Sequence, residues 1–132
     1  MARVFWTVTI DTAERATQVR RQFVRFLRQY APRSTQVFEA ELVFGELLSN
    51  IARHEPGPVK IVVDVVGDEA IVTLDGPSPD EGDEAAAPPA GLSESGRGLY
   101  LIRTLSRDYY VDRGPRGHTT TIVLGLRQLQ AV

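Results

Sequence analysis

Glu46, Asn50 and His54 follow one another at intervals of four residues, so on a helix they stack along one face, one turn apart. Their polar groups can then converge on a single ligand. An amide oxygen such as that of Asn50 is a hard, neutral donor suited to Mg²⁺, which keeps several waters and shares the phosphates of its substrate. A carboxylate one turn earlier, at Glu46, is placed to orient or deprotonate an attacking hydroxyl. The same three residue types also fit a plain solvated helix face. A zinc site fits less well, because it needs at least three ligands and the chain has no cysteine and only His54 and His118 as histidines.

Gly96-Arg97-Gly98 precedes the apolar run Leu99 to Leu105. A glycine turn opening into a helix presents backbone N–H groups and the positive end of the helix dipole to an anion, and missing side chains let a phosphate approach closely. Alone, the pair would pass for ordinary loop glycines.

These groups need elements to hold them. Val4, Trp6, Val8 and Ile10 alternate with polar residues over 3–10, the period of a half-buried strand. Asp11-x-x-Glu14 has the form of a capping box, followed at helical spacing by Ala16, Val19, Phe23, Phe26, Leu27 and Tyr30 before Pro32 stops the run. Arg15, Arg20, Arg21, Arg25 and Arg28 lie on its polar side, either as a solvated face or as a dock for an acidic partner. Ser34 or Thr35 can cap a second helix with Val37, Ala40, Phe44, Leu47, Leu48 and Ile51 as its apolar stripe. That helix carries the 46/50/54 face.

Val59 to Val66 and Ala70 to Leu74 form a predicted hairpin about Gly67-Asp68-Glu69, and Tyr109 to Arg113 with Thr119 to Leu126 a second one about Gly114 to Gly117. Between them, residues 76–95 lose all apolar periodicity in favour of proline, alanine, glycine and acid. A stretch of that length inside a small domain is either functional, as a lid over a ligand, or a plain loop.

With 132 residues, one domain spanning 1–132 is expected. A net charge of -2 provides no general attraction to nucleic acid or acidic lipid, so neither is an expected partner and any anion must be bound locally. No segment approaches the length of a membrane span, and the N-terminal residues lack a signal-peptide pattern, so a cytoplasmic location is expected.

Glu46-Leu47-Leu48-Ser49-Asn50-Ile51-Ala52-Arg53-His54, then a strand pair, Asp75-Gly76-Pro77, a Pro-rich stretch, Gly96-Arg97-Gly98-Leu99 and Gly117-His118-Thr119-Thr120 together resemble the small bacterial anti-sigma-factor serine/threonine kinases. Those belong to the GHKL superfamily with gyrase, the histidine kinases and heat-shock chaperone ATPases. The resemblance runs over nearly the whole chain in the family's order. It implies a Bergerat-type α/β two-layer sandwich (α+β), a mixed, mainly antiparallel sheet with three helices on one face. It implies ATP or ADP with Mg²⁺ as ligands, a sigma factor and an anti-anti-sigma protein of the STAS type as partners, and a homodimer, for which the exposed face of the Val4-Trp6-Val8 strand is a candidate surface.

By position, the resemblance makes Glu46 the catalytic carboxylate and Asn50 the Mg²⁺ ligand, with His54 supporting the phosphates. Asp75 and Gly76 would read adenine, Gly96, Arg97, Gly98 and Leu99 would contact phosphate, residues 76–95 would form the ATP lid, and Thr119 and Thr120 would close the adenine end. One departure stands out: the family's Asp-x-Gly-x-Gly is Asp75-Gly76-Pro77-Ser78 here, and a one-residue shift on a strand turns a side chain to the other face. Either a compensating deletion keeps Asp75 in the pocket, or adenine recognition is weakened or lost and the chain is a non-catalytic binding module on the same fold.

Overall fold

A computed structural model describes residues 2–77, 94–115 and 117–127. Strand β1 (Ala2–Ile10) leads into helix α1 (Ala13–Tyr30), helix α2 (Val37–His54), strands β2 (Gly57–Val66) and β3 (Glu69–Pro77), helix α3 (Glu94–Leu105), and strands β4 (Asp108–Gly114) and β5 (Gly117–Gly125). Both predicted hairpins form, and Gly67 takes φ +62° in the first turn, a conformation that glycine adopts without a Cβ clash.

The strands lie in the order β1-β2-β3-β5-β4. Every ladder among the described residues is antiparallel, so the mainly antiparallel sheet has no parallel pair there. The pleat assigns each residue a face. Val4↔Val63, Val63↔Val72, Val72↔Ile122 and Ile122↔Tyr109 are register partners, and this row lies on the face that buries Ile61, Val63, Val72, Leu74, Ile122 and Leu124 with the helices. The stripes of α1 and α2 complete that layer, with the Phe23 and Phe44 rings stacked at 4.0 Å and 12°. The result is the expected two-layer sandwich.

Two local expectations, both helix caps, are corrected. Helix α1 is capped by Thr12, whose Oγ1 accepts from the Arg15 N–H at 3.0 Å. Asp11 is therefore one position too early to reach the N3 amide. Helix α2 starts after Gln36 with no side-chain cap, because the Ser34 hydroxyl is spent on the Gln36 N–H ahead of the helix. Val4, Trp6 and Val8 pack against the core, so the exposed face of β1 is the opposite one. The outward side of β1 carries Phe5, 64% exposed.

Of the expected lid, residues 78–93 lie outside the described residues. Its ends are shorter than predicted, since Gly76 and Pro77 extend β3, where they pair with His118 and Gly117. At the other end Glu94 and Ser95 already belong to α3.

Candidate functional site

The α2 stripe that faces the core rotates Glu46, Asn50 and His54 toward its flank, leaving Glu46 and Asn50 half-buried and His54 exposed. Helix α3 crosses at this point. Gly98 is buried, and a Cβ built on it would stand 2.5 Å from Glu46 Oε2, 3.5 Å from Glu46 Cδ and 3.9 Å from Asn50 Nδ2. No ordinary side chain fits there unless the carboxylate moves. Two stretches of chain separated by some fifty residues therefore bring a carboxylate, an amide and bare backbone into contact.

The glycine turn is not a turn. Gly96, Arg97 and Gly98 lie within α3, which begins at Glu94. Glycine weakens a helix by about 1 kcal/mol relative to alanine, and α3 carries that cost at Gly98, where it contacts α2. The unpaired N–H groups of the helix start are consequently those of residues 94–97, which include Gly96 and Arg97, while Leu99 is half-buried one residue past the contact.

Asn50 Oδ1 accepts a hydrogen bond from Arg53 Nη2 at 2.8 Å, so this oxygen already faces a positive charge. Among the described residues no three His, Cys, Asp or Glu side chains are grouped to hold a metal. A single amide oxygen matches Mg²⁺, which takes most of its ligands from phosphate and water. Arg53 was missed by sequence reasoning, although its i, i+3 spacing from Asn50 on a helix was the available signal.

Asp75 is turned out of this layer. Leu74 is buried in the core while Asp75 is exposed, and the β3–β5 ladder runs unbroken from Glu69 to Pro77. No bulge compensates for the one-residue shift, so the pleat sends the carboxylate to the outer face. There Asp75 Oδ1 accepts from Thr119 Oγ1 at 2.5 Å. Thr119 thus shares the outer face, whereas Thr120, His118 and Gly76 share the inner one by register. At that inner end His118 Nε2 stands 3.9 Å from Glu55 Oε2.

A groove of about 240 Å³ also reaches Glu46, lined among others by Arg20, Phe38, Leu42, Gly45 and Ser49. Phe38 is 63% exposed and Leu42 39%, so apolar surface runs along α2 up to the carboxylate. The strongest ionic shifts lie elsewhere. Arg107 hydrogen-bonds Asp68 and Glu69, and its guanidinium lowers the Asp68 carboxyl below its ordinary value. Burial raises the Tyr109 hydroxyl above its own.

The fold is an α/β sandwich of the kind found in GHKL ATPase domains. The chain belongs to the family described as the histidine kinase-like ATPase domain, whose model matches residues 10–124. Among curated proteins it has no match. No helix among the described residues is long and apolar enough to cross a membrane.

Proposed function

We propose that this chain is an ATP-dependent serine/threonine protein kinase acting as an anti-sigma factor, which phosphorylates a STAS-type anti-anti-sigma protein and sequesters a sigma factor. The observation that supports it most is the contact of Gly98 with Glu46 and Asn50, which brings a carboxylate, an amide and side-chain-free backbone together. Glu46 orients the acceptor serine and takes its proton. As Oγ bonds to the γ-phosphorus, the bond from that phosphorus to the bridging oxygen breaks and its electrons leave with ADP. Asn50 Oδ1 would hold Mg²⁺, which when bound neutralises phosphate charge. Gly96, Arg97, Gly98 and Leu99 border the phosphates, with His54 in support and Thr120 toward the base.

The groove beside Phe38 and Leu42 is lined by Glu46 as well, so an acceptor segment lying in it would reach the base from outside. The protein would act in the cytoplasm as a homodimer. Replacing Glu46 by Gln should abolish transfer of labelled γ-phosphate to a STAS-type acceptor while Mg-ADP still binds. Undiminished transfer by Glu46→Gln would show that Glu46 is not the base.

A second function has an observation of its own. The outward Asp75 removes the family's adenine carboxylate from the inner face, as expected of a non-catalytic module on this fold. Such a module would bind its protein partner with unchanged affinity in the presence or absence of Mg-ATP, and would transfer no phosphate.

A further inference from the structure

Because Asp75 faces outward, the inner face needs another group if it is to recognise a base. The position that the pleat turns inward is Gly76, and a Cβ built there would meet nothing within 4 Å. Among the described residues, open space therefore lies over Gly76 on the helix side. Its register partner is His118, and across from His118 stands Glu55, the residue that ends α2.

Nine helical residues separate Glu55 from Glu46, about 13 Å along the axis at 1.5 Å per residue. That is the length scale of a nucleoside triphosphate from its terminal phosphate to its base. The Glu55–His118 separation of 3.9 Å is too long for a hydrogen bond, so the imidazole flanks the carboxylate without occupying its lone pairs. His118 Nδ1 is sealed from solvent with no hydrogen-bond partner among the described residues. Buried polar atoms are nearly always paired, and one that is not calls for a partner.

We propose that Glu55, flanked by His118, replaces Asp75 as the carboxylate that recognises the exocyclic amine of a purine base over Gly76. The inference rests on the proposed nucleotide binding and assigns its base specificity. Glu55 accepts from the amine, and His118 Nε2, the ring nitrogen nearest Glu55, lies beside the same base. Asp75 has no part in recognition.

Titration calorimetry with Mg-ADP and Mg-IDP, whose hypoxanthine lacks the amine, tests this on the full chain. Wild type should prefer ADP to IDP. Glu55→Ala should weaken ADP about tenfold to a hundredfold, the loss of one hydrogen bond to a charged acceptor, and leave IDP nearly unchanged. Asp75→Asn should alter neither. Gly76→Asp, which places a carboxylate in the open space, should restore ADP preference to Glu55→Ala. Should wild type bind ADP while Glu55→Ala keeps the full preference, or should Asp75→Asn abolish it, this assignment is overturned and nucleotide binding stands. Should wild type bind neither nucleotide, nucleotide binding itself falls, and this assignment with it.

Discussion

Gly98→Ala adds one carbon atom, and its consequence can be worked from the structure. The new Cβ would lie 2.5 Å from Glu46 Oε2, roughly 1 Å inside ordinary van der Waals contact. The backbone of α3 is fixed by its packing, whereas the Glu46 carboxylate is the end of a flexible side chain, so the carboxylate yields by roughly that distance. A misplacement of about 1 Å in a reacting group costs on the order of a hundredfold in rate. Asn50 Nδ2, at 3.9 Å, has room to stay. Stability should not fall, because alanine favours the helix over glycine by about 1 kcal/mol. Gly98→Ala is therefore expected to melt at or slightly above the wild-type temperature, bind Mg-ADP within a few-fold, and transfer γ-phosphate about a hundredfold more slowly under single-turnover conditions. A variant that keeps its melting temperature and transfers at the wild-type rate would refute the link between this contact and catalysis.

Phe44→Ala removes a fully buried ring stacked on Phe23, and should cost about 3–5 kcal/mol in chemical denaturation. Arg107→Ala should expose the pH dependence of the Asp68 contact. Asp68 is lowered by Arg107, so its stabilisation is present above its unfolded value, about pH 4, and lost as pH falls through the lower folded value. The melting-temperature gap between wild type and Arg107→Ala should thus be open at pH 7 and narrow as the pH is taken down through and below the unfolded carboxyl's range.

Much of the fold was legible in the sequence because burial imposes periods. The stripe of Val37, Ala40, Phe44, Leu47, Leu48 and Ile51 could only be a helix facing a core, and it fixed the side on which Glu46 and Asn50 emerge. The alternation in β1 was equally direct, with Val4, Trp6 and Val8 on the packed side and Phe5 on the outward one. Boundaries failed where a local competitor won: Thr12 outreached Asp11 for the cap, and α3 absorbed Gly96-Arg97-Gly98 because Gly98 packs on α2. The Glu55–His118 approach joins residues 63 apart in the chain; no local period announces such a pair. Asp75 lay between these cases, since the shift was visible in the motif while its direction needed the unbroken β3–β5 ladder.

The central claim is that Glu46, Asn50 and Gly98 border one nucleotide. Thermal unfolding with rising Mg-ADP tests it most directly, because a ligand that binds only the folded state must stabilise it, by about 2.7 kcal/mol at a hundred times Kd. For a chain of this size that is a rise on the order of 10 °C, and Asn50→Ala should abolish its dependence on Mg²⁺. A wild-type melting temperature unmoved by millimolar Mg-ADP would contradict the site.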